Sequence, residues 1–171
     1  MSYYYGYPPY ITAAEKRARA QKKLQRLRKK NPNIKPVIIE GKALARTWWG
    51  KAWNSNLEKY ADYDNRIGRG RSYVRHGSIL DLQILPAKVE ALVMGTKSSP
   101  YNITIKIKPI KKTKWRQVQK SCEGKLESLQ KLLAGEFPKN LSGMFTTKGY
   151  GLFPSPRDIK FNCDCLDWAS M

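Results

Sequence analysis

The chain has 171 residues, with 33 Lys+Arg against 13 Asp+Glu and a formal net charge of +20. That length suits one domain with a single core, and 41% apolar with 11% aromatic residues excludes wholesale disorder. No apolar run approaches the roughly 20 residues that span a bilayer, and an excess of one charge this large selects polyanionic partners, nucleic acid ahead of an anionic membrane. Three cysteines, two of them one residue apart, argue for reduced thiols or metal ligands over a disulfide framework. Met1-Ser2-Tyr3-Tyr4-Tyr5-Gly6 lacks signal-peptide character, so a cytoplasmic protein is expected.

In chain order, Tyr3 to Tyr10 is aromatic and proline-rich, hence extended; its tyrosines suit stacking on bases or packing over the core. Thr12-Ala13-Ala14-Glu15 is a capping box, which predicts a helix to about Lys29 that ends before Asn31-Pro32. Lys16, Arg17, Arg19, Lys22, Lys23, Arg26, Arg28, Lys29 and Lys30 crowd this helix, and its apolar stripe (Ala14, Ala18, Leu24, Leu27) is thin. Charge of one sign at i,i+4 spacing destabilises a helix, so the expectation is a phosphate-contacting arm lying outside the core and ordered on binding.

Pro36 to Glu40 reads as a short strand, and Thr47 as the cap of a second helix to about Tyr60 with Trp49, Ala52, Trp53, Leu57 and Tyr60 on one face; Trp48 falls off it. Between Asn65 and Gly77 an Arg/Gly-rich loop is expected, with Arg66, Arg69, Arg71 and Arg75 offering phosphate forks around Tyr73. It matches neither a Walker loop nor a dinucleotide fingerprint. His76 reads as a turn residue. Ser78–Leu85, Val89–Gly95 and Tyr101–Lys108 alternate apolar and polar residues and predict an antiparallel meander. Thr113–Leu133 is expected to be a third helix with Trp115, Val118, Cys122, Leu126, Leu129 and Leu133 on one stripe, Cys122 acting as a small hydrophobe. A short helical piece near Leu141 and a rigid loop from Gly149 to Pro156 precede a last strand, Asp158–Asn162.

Cys163-Asp164-Cys165 at the end of that strand is half of a metal site, since zinc needs four ligands to close a tetrahedron. Phe161-Asn162-Cys163-Asp164-Cys165-Leu166-Asp167-Trp168 resembles the first half of a SWIM zinc finger, and Trp48–Trp53, Arg69–Arg75 and Gly151–Pro154 resemble blocks of the prokaryotic SWIM zinc finger family proteins. The resemblance implies a Cys-x-His pair almost directly after Met171, Cys163 and Cys165 as zinc ligands, Asp167 and Trp168 in support, DNA or protein binding, and association with Swi/Snf-type helicase ATPases. Two thiolates alone leave two positions open, so the chain as it stands is expected to hold zinc weakly or not at all.

The expected fold is α+β: a three- to four-stranded antiparallel sheet packed by the two Trp-containing helices, with residues 1–34 as a basic arm, 35–157 as the core and 158–171 as the half finger. The expected function is non-enzymatic nucleic-acid binding, DNA favoured over RNA, through the basic helix and the Arg/Gly loop. An adaptor docking a helicase or ribonucleoprotein is the alternative. Asp62, Asp64, Asp81 and Glu90 are too scattered to suggest a nuclease.

Overall fold

The structure, a computed structural model, describes residues 11–41, 43–59, 64–125, 129–147 and 151–165. The tyrosine-rich segment, Tyr60, Asp62, Leu126 and the Asp167-Trp168 pair lie outside the described residues. Alternation of apolar residues does produce the meander: β1 (Ile79–Leu85), β2 (Lys88–Val93) and β3 (Tyr101–Ile107) pair antiparallel in sequence order, and β4 (Ile159–Cys163) adds to β3. The protein is therefore α+β with a four-stranded antiparallel sheet.

Pro36–Glu40 is not a strand. Pro36 has no N–H to give a ladder, and Ile38 is 74% exposed. The segment still lies along the outer edge of β1: Leu82 N–H donates to the Lys35 carbonyl (2.9 Å) and Val37 N–H to that of Ile79 (3.1 Å). The buried Asp81 carboxylate completes this junction by accepting from Lys35 N–H (2.8 Å) and Gln83 Nε2 (3.0 Å).

The basic helix α1 (Ala13–Lys30) has its capping box, with Thr12 N–H donating to Glu15 (2.7 Å) and Glu15 N–H to Thr12 Oγ1 (3.2 Å). It is not a detached arm. Ala20, 1% exposed, packs on Leu80 (0%) and Met94, with Leu24, Leu27 and Leu92 around them. The buried line is Ala20-Leu24-Leu27, spaced i, i+4, i+7, while Ala14 and Ala18 face solvent. The pairing of β1 with β2 shifts register between Ile79 and Asp81, where Leu80 lies beneath the helix.

Helix α2 (Trp48–Glu58) starts where Gly50 N–H donates to Thr47 Oγ1 (3.2 Å). Its indoles do not cover the sheet; they meet the phenylalanines of the C-terminal third. Edge-on pairs join Trp48 to Phe145 (5.5 Å between centroids), Trp49 to Phe137 (6.0 Å) and Trp53 to Phe153 (5.1 Å). Trp48, off the expected face, is thus within the cluster, and its indole N–H donates to the Phe137 carbonyl.

The residues expected to form an Arg/Gly loop are helix α3 (Asp64–Arg75). Glycine in a helix costs about 1 kcal/mol relative to alanine, and Gly68 and Gly70 sit on it with open space around them. Gly77 (φ +65°) ends α3, and Ser78 N–H returns to the Tyr73 carbonyl (2.9 Å), so α3 turns directly into β1.

The third expected helix is cut short. α4 (Lys112–Cys122) ends at Glu123 and Gly124 (φ +70°), and α5 (Leu129–Leu133) follows with Leu133 81% exposed. Trp115, Val118 and the half-buried Cys122 face Met144 and Phe145 across a groove rather than the sheet. A 3-10 turn (Lys139–Leu141) then leads into α6 (Ser142–Thr146), and Leu141 is fully buried. Among the described residues no helix is long and apolar enough to cross a membrane.

The buried line of α1 is open to test by substitution. Ala20→Leu is expected to cost about 1–3 kcal/mol in urea unfolding through overpacking, while Ala18→Leu stays within about 0.5 kcal/mol of the parent. Equal costs at the two positions would contradict the docking described.

Candidate nucleic-acid interface

Docking α1 on the sheet brings it alongside α3, since α3 turns straight into β1. Between them lies a pit of about 250 Å³. Lys16 and Arg19 from α1 and Arg69 and Tyr73 from α3 line it, so two stretches that are separate in sequence form one surface. The sequence reading did not anticipate the other groups there. Ser72 and His76 approach one another (Ser72 Oγ to His76 Nδ1, 3.4 Å), and Ser78 and Thr96 contribute hydroxyls. His76 is in a turn, as expected, but it faces this pit.

The remaining cations divide. Lys22, Lys23, Arg26, Arg28, Lys29 and Lys30 continue along α1 beyond the pit, all exposed except the half-buried Lys23. Arg66 and Arg75 lie at opposite ends of α3, exposed and not in the pit wall. Arg71 is ion-paired with Glu58 of α2 and serves to hold α3 in place. Among the described residues none of the nine α1 cations is in an ion pair. A second cationic group, which the sequence reading did not single out, comprises Lys88, Lys106, Lys108, Arg157 and Lys160 at the far end of the sheet.

The uncompensated field is felt by His76, the only histidine. Its pKa is lowered from the ordinary value of 6.5, first by burial and then by the charges of Lys16 and Arg17. A lowered histidine pKa means that the unfolded chain takes up the proton first as pH falls below about 6.5, so this contribution to stability weakens with acidification. The expected NMR titration of His76 has its midpoint below 6.5 and moves upward with added salt, which screens Lys16 and Arg17. A midpoint at or above 6.5 in low salt would contradict the geometry.

Cys163 and Cys165 follow a different pattern. Cys165 N–H donates to Cys163 Sγ (3.2 Å), and the intervening Asp164 clamps the start of β3 by accepting from Asn102 N–H (2.8 Å) and Asn102 Nδ2 (2.7 Å). Hydrogen bonding by the Asn102 side chain holds the Asp164 carboxyl below its ordinary pKa. Burial first, then the hydrogen bond with Cys165, pushes the Cys163 thiol up to about 11. Among the described residues no three His, Cys, Asp or Glu side chains are grouped to hold a metal, and Cys122 lies elsewhere, against Met144 (3.8 Å between sulfurs). Among the described residues, Cys163 and Cys165 therefore supply two of the four donors that a closed tetrahedral zinc site needs. Addition of one equivalent of zinc is expected to leave the melting temperature of this chain unchanged. A zinc-dependent rise that Cys163→Ser removes would overturn that.

The molecule is thus an α+β domain whose sheet carries a cationic helix across its first two strands. It is similar to the uncharacterized protein Rv2102 of Mycobacterium tuberculosis strain H37Rv, with 37% identity over 147 residues covering 81% of this chain and 53% of that protein. The chain spans about half the length of that relative. No family model matches the sequence, and no solved structure matches it.

Proposed function

We propose that the chain is a non-enzymatic nucleic-acid-binding module, acting by phosphate neutralisation along α1 and the adjoining part of α3. The observation that carries this reading is the row of nine cations on α1, free of ion pairs among the described residues and continuous with Arg69 at the pit. Each lysine or arginine that meets a phosphate releases condensed counterions, and this supplies most of the affinity in non-specific binding. DNA is favoured over RNA, and a Swi/Snf-type helicase is the partner class, on the resemblance of the Trp48–Trp53, Arg69–Arg75 and Phe161–Trp168 blocks to the prokaryotic SWIM proteins. Zinc belongs to the complete finger, with Cys163 and Cys165 as two of its ligands. A cytoplasmic setting suits three unpaired thiols.

The absence of catalysis in this proposal draws on what the acids do. Asp81 is engaged by Lys35 and Gln83, and Glu90 pairs with Lys88 (2.8 Å), so neither is poised to hold a catalytic metal. The adaptor reading has one observation in its favour, the apolar groove of about 510 Å³ between Trp115, Val118 and Cys122 of α4 and Met144 and Phe145 of α6.

The log–log salt dependence of affinity is the discriminating measurement. Single-stranded DNA is expected to bind with a slope of about −0.7 per phosphate neutralised, and duplex with about −0.9. Substituting Arg26→Ala, which points to solvent on α1, should shallow the slope by about one such increment without changing stability by more than about 0.5 kcal/mol. Affinity insensitive to salt, or equal slopes for parent and variant, would count against phosphate neutralisation.

A further inference from the structure

We infer that the pit between α1 and α3 is a strand-end subsite: it takes the terminal phosphomonoester of a nucleic-acid strand, with the attached nucleoside against Tyr73. This rests on the nucleic-acid reading above and names the part of the ligand that enters the fold.

Size limits what can enter. A cavity of about 250 Å³ is slightly below the range of about 300–1,000 Å³ usual for small-molecule sites, which is room for one nucleotide. The pit is also closed on its sheet side, where the lining residues Ser78 and Met94 are buried. A strand interior must leave by the side opposite its entry, so it crosses the rim; only an end goes in.

Charge then selects which end group. Lys16, Arg19 and Arg69 reach the pit from two helices, and among the described residues no carboxylate lines it. A phosphomonoester carries roughly −1.5 to −2 at neutral pH, where an internal diester carries a single charge. Guanidiniums on both helices can grip its additional oxygens with charge-assisted hydrogen bonds. The hydroxyls of Ser72 and Thr96 on the same wall add neutral donors, and Tyr73 beside them would meet the nucleoside.

The wall is held before any ligand arrives. Tyr73 is tied to β1 by the Ser78 N–H bond, and Met94 N–H donates to the Ser78 carbonyl (2.7 Å). Gly95 admits no side chain, since a Cβ there would overlap the buried Tyr101 ring, and the Tyr101 hydroxyl reaches Thr96 Oγ1 (3.2 Å). His76 faces Lys16 and Arg17 of α1, together with Arg69, Ser72 and Tyr73 of α3 and the Ser78 and Thr96 hydroxyls, so it reports the charge entering the pit.

The test uses the full chain and internally labelled oligodeoxynucleotides of about 12 nucleotides, within the span of one single-strand site, carrying a 5′-phosphate, a 3′-phosphate or hydroxyls at both ends. At one fixed salt concentration, one of the phosphorylated strands is expected to bind about tenfold more tightly than the hydroxyl strand. That preference should vanish in the Arg19→Ala, Arg69→Ala double variant, whose two positions are exposed. On the unsubstituted protein, the preferred strand should raise the His76 midpoint further than the hydroxyl strand does at equal saturation. Equal binding of all three strands with a steep salt slope would overturn the end subsite and leave the nucleic-acid function standing. Loss of salt-dependent binding to every strand would overturn both. A preference that survives the double variant, or an unmoved His76, places the end elsewhere. A nucleoside monophosphate that binds as tightly as the preferred strand would make the pit a free-nucleotide site and overturn the strand-end assignment.

Discussion

A helix with nine positive charges is held to this molecule through a very small contact, Ala20 against Leu80 and Met94. The size of that side chain is what matters: a methyl group lets the helix backbone approach the sheet closely enough for Leu24 and Leu27 to pack against the same cluster. Full burial of one leucine is worth about 1.5–3 kcal/mol. The like-charge pairs at i,i+4 (Arg19–Lys23, Lys22–Arg26, Arg26–Lys30) cost about 0.2–0.5 kcal/mol each. Two partly buried leucines and a sealed alanine therefore outweigh the repulsion, by a modest margin. A polyanion on the outer face would widen that margin, so the geometry that anchors the helix and the chemistry proposed for it act in the same direction.

The aromatic cluster does a separate job. Trp48, Trp49 and Trp53 from the first third of the chain interlock edge-on with Phe137, Phe145 and Phe153 from the last. Trp49 further donates its indole N–H to the Gly135 carbonyl (2.7 Å). Such edge-to-face pairs add about 0.5–1.5 kcal/mol each beyond area burial. They fix the C-terminal third beside α2. From there the Ser155–Asp158 capping box turns the chain into β4, and Asp164 closes the end of the sheet against Asn102. Glu58 at the end of α2 also anchors Arg71 of α3. The cluster thus positions both the wall of the pit and the strand that carries Cys163.

What could be read from the sequence was whatever depends on local spacing. Alternation at Ile79–Leu85 and Tyr101–Ile107 gave strands, and Thr12 with Glu15 gave a helix start, because those patterns are caused by the elements themselves. Misreadings arose where tertiary contacts decide. Gly68 and Gly70 suggest a loop on propensity, yet α3 is helical with Arg71 paired to Glu58. The stripe expected from the sequence joins Ala14 and Ala18 to Leu24 and Leu27 and omits Ala20, although Ala20 stands at i−4 and i−7 from the two leucines. The pit combines Lys16, Arg69 and Thr96, residues far apart in sequence. Only the folded sheet brings them together, and no spacing rule would have selected Ser72 or His76.

Docking before binding is the central claim, and hydrogen–deuterium exchange measured by mass spectrometry tests it directly. In the protein alone, amides along Arg19–Lys29 should be protected well beyond an isolated helix of that sequence, because opening α1 requires its release from Leu80 and Met94. Single-stranded DNA should then slow exchange in α1 and α3 together, with little change at the aromatic cluster. An α1 that exchanges as a free peptide until DNA is added would show an arm that folds on its ligand, and would contradict the docking described.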